Sequence, residues 1–248
     1  MSGTIALHKG DCIEVMETLN AGSVDMILTD LPYGTTANKW DAVIPFAPMW
    51  EQFLRVCKPS AAIVLTASQP FTSALVMSQP KLFRHEWVWK KPNGSNFLNV
   101  KREPMKEHEV ALVFSRGKWT YNVQMQKRLP SSASKIGTTY RSGGTSENYG
   151  SHKQAIKVVT ELRVPSSVQL FTRDRGLHPT QKPGDLMRYL IRTYSNAGET
   201  ILDATMGSGT TGVAAVMEGR NFVGIERDDA YFDIACGRMS YTDHLIAV

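Results

Sequence analysis

Two short stretches of this chain hold residue types that could do chemistry. The first is Asp30-Leu31-Pro32-Tyr33, which sets an acid, a restrained backbone and an aromatic ring in one bend after the apolar run Val24 to Thr29. A carboxylate beside a carbonyl can accept both N–H bonds of an exocyclic amine such as that of adenine, whose lone pair is delocalised into the ring. Two such acceptors favour a pyramidal nitrogen and stabilise the positive charge that develops as it attacks an electrophile. Pro32 fixes its own φ and drives Leu31 toward an extended conformation, which holds the Leu31 carbonyl in place. Tyr33 can stack on the flat ring. Taken alone, the same residues would also make an Asx-type turn at the end of a strand.

The second stretch runs from Leu202-Asp203-Ala204-Thr205 through Met206-Gly207-Ser208-Gly209 into Thr210-Thr211-Gly212, with Glu226 nineteen residues beyond Gly207. A strand, a G-x-G-x-x-G turn and a helix, followed by an acid at the end of the next strand, suit a nucleoside cofactor. The glycines admit it to the backbone and the acid bonds its ribose hydroxyls, a need shared by NAD and S-adenosylmethionine. A dinucleotide domain continues through several more strands, whereas 36 residues follow Gly212. Asp203 at the mouth of the turn would repel a pyrophosphate and attract an ammonium group. Both points favour S-adenosylmethionine; the plain alternative is a strand-turn-helix with glycines for close packing.

The elements that must position these residues can be read from periodicity. Ile5 to His8, Val24 to Thr29, Ala61 to Thr66, Glu86 to Trp89, Val110 to Phe114, Thr200 to Asp203 and Asn221 to Glu226 read as strands. Helices are predicted over Ile13 to Leu19, Phe46 to Cys57, from Pro183 through Tyr194, Thr210 to Glu218, and from Asp229 onward, with apolar residues at three- and four-residue spacing. The alternation predicts an α/β fold with a mainly parallel sheet covered by helices on both faces. Residues 131 to 151 are rich in Ser, Thr and Gly and poor in apolar content, so an inserted lobe, mobile until a partner orders it, is expected there.

Composition narrows the classes. The 248 residues suffice for one catalytic domain with an insertion. There is no apolar leader with a cleavage site and no uninterrupted apolar run of about 18 residues, so a cytoplasmic protein without a membrane partner is expected. Cys12, Cys57 and Cys236 form no C-x-x-C pair and the six histidines no H-x-x-x-H, so no metal is expected. Residues 116 to 175 hold eleven Lys and Arg against three Asp and Glu, while the remaining seventeen basic and twenty acidic residues leave −3 elsewhere. A patch so confined attracts polyanions through phosphate contacts and counterion release, or is simply a solvated face.

In these motifs and in their order the chain resembles the DNA amino-methyltransferases that act on adenine N6 or cytosine N4, in the permuted arrangement called the β class. Asp30-Leu31-Pro32-Tyr33 is similar to that family's D-P-P-Y, Met206-Gly207-Ser208-Gly209 to its F-x-G-x-G, and His178-Pro179-Thr180-Gln181-Lys182-Pro183 to its H-P-T-x-K-P; Gly10-Asp11 matches an N-terminal G-D. Leu31 replaces the usual first proline and Met206 an aromatic, and a flexible thioether can fill that space.

The resemblance implies a Rossmann-like S-adenosylmethionine-dependent methyltransferase fold. Residues 1–117 and 176–248 would be catalytic and 118–175 a target-recognition lobe. It implies Asp30, Leu31, Pro32 and Tyr33 as catalytic residues. Asp11, Cys12, Asp30, His178, Thr180, Lys182, Asp203, Met206, Gly207, Ser208, Gly209, Thr210, Glu226 and Arg227 would hold the cofactor, with His178, Thr180 and Lys182 near its methionine part. Double-stranded DNA is the implied partner, with the target base flipped out of the duplex. Lys118, Lys127, Arg128, Lys135, Arg141 and Lys153 of the basic segment would contact it. A homodimer and an accompanying restriction endonuclease are compatible with the same resemblance. An aspartate at position 30 favours adenine, since the permuted group tends to use serine for cytosine N4. DNA cytosine-N4 methylation is the first alternative, with RNA methylation and a catalytically idle DNA-binding protein behind it.

Overall fold

A computed structural model describes residues 3–36, 38, 41–148, 150–174 and 181–246 of the chain. In chain order the elements are β1 (Ile5–Lys9), α1 (Cys12–Thr18), β2 (Val24–Asp30), α2 (Phe46–Val56), β3 (Cys57–Ala67), α3 (Phe71–Ser78), β4 (Phe83–Ser95) and β5 (Lys106–Phe114). Four strands follow: β6 (Gln126–Lys127), β7 (Thr139–Ser146), β8 (Gly150–Val158) and β9 (Leu162–Arg163). The chain ends with β10 (Val168–Leu170), α4 (Gly184–Tyr194), β11 (Thr200–Asp203), α5 (Thr210–Met217), β12 (Asn221–Glu226) and α6 (Asp229–Ile246).

The chain divides into two compact units, Met1–Asn122 with Ser167–Val248, and Val123–Ser166. The larger is built on an eight-stranded sheet in the order β1-β12-β11-β2-β3-β5-β4-β10. Only β5 runs against its neighbours, through antiparallel ladders to β3 and β4; the other pairings are parallel. Side chains alternate between two cores. Ile27, Ile63, Leu65, Leu112 and Phe114 point to the face where Met16, Phe53 and Leu75 of α1, α2 and α3 pack. Met26, Leu28, Ala62, Val64 and Val113 point to the face closed by Leu190, Ala214 and Met239 of α4, α5 and α6. Burial on both faces explains why the central strands read as continuous apolar runs.

The smaller unit holds two antiparallel ribbons, β6 with β9 and β7 with β8. It is narrower than the segment marked out by composition. Lys118 to Asn122 and Ser167 to Arg173 belong with the larger unit, where the Asn122 N–H donates to the Thr193 carbonyl at 2.7 Å, β10 pairs with β4, and Trp89 Nε1 donates to the Phe171 carbonyl at 2.9 Å. Residues 131–151, expected to lack regular structure, carry a 3-10 turn at Pro130–Lys135 and β7 with the start of β8. Backbone pairing supplies order there without an apolar face, for β8 is exposed along its whole length. Among the described residues no helix is long and apolar enough to cross a membrane.

Candidate active site

Three acids end three adjacent strands of the sheet: Glu226 ends β12, Asp203 ends β11 and Asp30 ends β2. Carboxyl ends of parallel strands are where such sheets bind ligands. One cleft there is lined by Asp11, Cys12, Asp30, Leu31, Pro32, Tyr33, Lys182, Asp203, Met206, Gly207, Ser208, Thr210, Glu226 and Arg227, which brings together all the described residues of the two predicted groups except Gly209. His178 and Thr180 lie outside the described residues.

The loop after β11 is shaped by its glycines and by a neighbouring helix. Gly207 has φ +52°, and a Cβ there would meet no atom within 4 Å, so that residue leaves open space in the cleft. Gly209, at φ +80°, instead packs on α6, where an added Cβ would come 3.0 Å from Ala235 Cβ; it opens the helix and not the cavity. Arg238 from α6 secures the turn, donating to the Ser208 carbonyl at 2.6 Å and to Thr210 Oγ1 at 3.2 Å. Glu226 accepts the Gly207 N–H and the Asp228 N–H, each at 2.8 Å. Each of its oxygens keeps a lone pair for a further donor such as a ribose hydroxyl. Asp11 caps α1 by accepting the Ile13 N–H at 2.8 Å, and burial with the adjacent Asp11 pushes the Cys12 thiol up to about 11.

Asp203 is the most buried acid lining the cleft. Burial raises its pKa to about 6, against hydrogen bonds from Thr211, Thr29 and the Thr205 N–H. Thr29 Oγ1 donates to it at 2.6 Å and the Thr205 N–H at 3.1 Å. A carboxylate so desolvated gains from a cation brought next to it. The set of a half-buried acid at Glu226, a desolvated one at Asp203 and an open glycine at 207 therefore fits a nucleoside that carries positive charge.

At the end of β2 the two oxygens of Asp30 have different partners. Oδ1 accepts from the Tyr33 hydroxyl at 2.8 Å and from Thr66 Oγ1, while Oδ2 accepts from Lys182 Nζ at 2.7 Å. The Asp30 carbonyl accepts from Thr205 Oγ1 at 2.9 Å, which ties this bend to the glycine loop. Tyr33 stacks on Phe71 with centroids 5.3 Å apart, and Lys182 Nζ lies 5.4 Å from the Tyr33 centroid. Beyond it the chain folds back onto Asp41, which accepts the N–H groups of Gly34, Thr35 and Thr36 at 2.7 to 2.9 Å.

Sequence reasoning missed Thr66, Asp41, Thr205 and Arg238, and it missed the buried group around Lys182. Lys182 also faces Glu109 at 3.3 Å, and Glu109 bonds Lys91 at 2.5 Å. Burial works against a charge on Lys182, but Asp30, Tyr33 and Glu109 around it raise its pKa well above the ordinary lysine value. The H-P-T-x-K-P stretch marked the lysine; nothing local marked its partners.

The predicted DNA contacts fall in both units. Lys118 is exposed in the larger one. In the smaller one Lys127 on β6, Lys135 at the end of the 3-10 turn, Arg141 on β7 and Lys153 on β8 are exposed, whereas Arg128 is half-buried with Nε donating to the Thr160 carbonyl at 2.7 Å.

Comparison with known proteins adds three findings. The N6/N4 DNA methylase family matches residues 24–236. The DNA adenine methyltransferase YhdJ of Escherichia coli strain K12 is 26% identical over 259 residues, covering 96% of this chain and 83% of that protein. Two solved structures share the fold. The M1.HpyAVI complex with SAM has a TM-score of 0.63 at 23% identity, covering 95% of this chain and 99% of that one. The cytosine-N4-specific PvuII DNA methyltransferase has a TM-score of 0.67 at 15% identity, covering 99% and 93%.

Proposed function

The chain belongs to the N6/N4 DNA methylase family and is an S-adenosylmethionine-dependent DNA methyltransferase, and from that premise we propose that it methylates adenine N6 of a base flipped out of the duplex. The observation that carries this reading is the Asp30 carboxylate at the carboxyl end of β2, beside the Tyr33 ring and in the same cleft as Asp203, Gly207 and Glu226.

S-adenosylmethionine, when bound, supplies an electrophilic methyl group on a sulfonium. Glu226 would hold its ribose, Gly207 would leave room for it, and Asp203 would face its positive charge. Asp30 Oδ2 and the Leu31 carbonyl accept the two N–H bonds of the target amine, which frees the nitrogen lone pair and stabilises the charge that develops on it. Thr66 and Tyr33 hold Oδ1, so the carboxylate is oriented before the base arrives. The proton that leaves the methylated amine departs along its hydrogen bond to Asp30. Protonated Cys12 offers no nucleophile, consistent with a route that needs no covalent enzyme intermediate.

Exposed Lys118, Lys127, Lys135, Arg141 and Lys153 would contact phosphates and set the enzyme on its duplex. Within 118–175, the compact unit Val123–Ser166 would act as the recognition lobe. Self-protection beside a restriction endonuclease, and a homodimer, fit the same reading. The test is transfer of labelled methyl from S-adenosylmethionine to unmethylated genomic DNA, followed by digestion and chromatography of the nucleosides. N6-methyladenine is expected. N4-methylcytosine would keep the chemistry and change the base, and no label despite cofactor binding would transfer the reading to RNA or to an idle binder.

A further inference from the structure

Lys182 stands where the reading above needs the target amine. Asp30 Oδ1 is taken by two hydroxyl donors, which leaves Oδ2 for an N–H of the base, and Lys182 Nζ donates to Oδ2 at 2.7 Å. The same ammonium lies 5.4 Å from the Tyr33 centroid, over the ring assigned to stack on the base. An ammonium and an exocyclic amine are both N–H donors and satisfy one acceptor in the same way.

A buried ammonium can leave a carboxylate only if a second acceptor awaits it. Glu109 on β5 provides one. Its Oε1 is bonded by Lys91 at 2.5 Å, whereas its Oε2 is buried, makes no well-aligned hydrogen bond, and is held in a 3.3 Å ion pair by Lys182 Nζ, which is longer than the 2.7 Å contact to Asp30. Lys182 therefore already faces both acids, and a small movement would turn its long contact with Oε2 into a full hydrogen bond. Lys91 is anchored on its own side, 5.1 Å from the Trp89 centroid. Two carboxylates and two lysines leave the group neutral whether Lys182 bonds Asp30 or Glu109, so a shift between them needs no change in buried charge.

We propose that Lys182 is a displaceable stand-in for the target amine, holding Asp30 Oδ2 while no base is bound and moving onto Glu109 Oε2 when the base enters. This rests on the reading of Asp30 as the amine acceptor. It makes Glu109 a positioning residue that acts through Lys182, and it means that a base must offer an N–H to Asp30 in exchange.

The test uses the full chain and single-turnover methylation of a duplex carrying the site mapped from its methylated genomic DNA. Glu109→Gln keeps the shape and removes the charge, so Lys182 stays on Asp30; the methylation rate is expected to fall on the order of 10- to 100-fold. Affinity for S-adenosylmethionine, measured by calorimetry, should stay within about twofold, because the change lies on the amine side. In E109Q/K182M, which is again neutral, the competing ammonium is gone and much of the lost rate should return. A double variant slower than E109Q, or an E109Q enzyme as fast as wild type, would overturn the exchange. Should E109Q fail to fold, Glu109→Asp keeps the charge but withdraws it by one methylene, and its rate should lie below wild type with rescue by K182M added; absence of that deficit overturns the proposal. Wild-type formation of N4-methylcytosine would overturn the adenine reading alone, since cytosine carries the same kind of amine and the variants would still test the exchange. A wild type that binds cofactor and methylates no DNA overturns both.

Discussion

Replacing Asp203 by Asn should stabilise the ligand-free protein and weaken its hold on S-adenosylmethionine. Asp203 is 2% exposed, and burial lifts its pKa to about 6 from an ordinary value of 3.8. A raised folded-state pKa means that the native protein binds this proton more tightly than the unfolded chain does. Ionised Asp203 therefore costs stability above the folded value, the cost shrinks as pH falls from about 6 toward 4, and it is gone below the unfolded value. The difference between those two values corresponds to roughly 3 kcal/mol at pH 8, of which about half remains at pH 5. For a chain of this length about 1 kcal/mol moves Tm by about 2–4 °C, so D203N should melt roughly 6–12 °C above wild type at pH 8, with the gap about halved at pH 5. Asparagine keeps an acceptor for Thr29 Oγ1 and the Thr205 N–H, which share Oδ1, and its amide can donate to the Thr211 hydroxyl once that rotor turns, so the main change is the charge. Thermal unfolding of both proteins at the two pH values reads the gap, and calorimetry at pH 8 reads the cofactor, whose Kd should rise about tenfold or more in D203N. A gap that ignores pH, or a variant less stable at pH 8, would refute the desolvated charge. An unchanged Kd would remove Asp203 from the cofactor site.

Asp30→Ala should lower methyl transfer by about 10²- to 10⁴-fold while S-adenosylmethionine still binds, measured by single-turnover labelling beside calorimetry; intact turnover in a folded variant would end the catalytic assignment. Gly212→Ala and Gly207→Ala should separate packing from ligand access. At 212 a Cβ would lie 2.5 Å from Met239 Sδ and 2.7 Å from Phe222 Cε1, so a loss of about 1–3 kcal/mol in urea unfolding is expected. At 207 there is open space and φ is +52°, so a strain of about 1–2 kcal/mol should come with a larger loss of cofactor affinity than at 212. Charge reversal at Lys127 and Lys135 together should reduce the slope of log Kd for duplex DNA against log salt by about 2, if each side chain neutralises one phosphate; an unchanged slope would take both off the DNA.

How much of this could be read from the chain alone depends on how local the cause is. Thr200–Asp203 and Asn221–Glu226 match the strands expected at those positions, because burial on both faces writes an apolar run into the sequence and the acids that end it stand out. The helix Phe71–Ser78 escaped notice because Ala74, Leu75, Val76 and Met77 are consecutive and leave no polar stripe to set a period. The ribbon at Gly150–Val158 has no buried face at all, so its order comes from pairing with Thr139–Ser146, which a periodicity reading does not detect.

The site divides along the same line. Glycine spacing marked the turn at 207 to 212, but only packing distinguishes Gly207, which faces the cleft, from Gly209 and Gly212, which admit α6 and Phe222. Tyr33 illustrates the stronger form of this. Its type and position suggest a ring waiting for a base, yet its hydroxyl is spent on Asp30 and Thr66, its ring rests on Phe71, and an ammonium from 149 residues away in sequence lies over it. Asp30 bonds that ammonium directly, and a second acid facing it comes from Glu109, on the one strand of the eight-stranded sheet that runs against its neighbours. Because β5 is antiparallel, its first residues, and not its last, lie at the carboxyl ends of β2 and β3. A parallel strand in that place would have carried Glu109 to the far edge of the sheet, so the strand direction is what closes the buried charge cluster around Asp30.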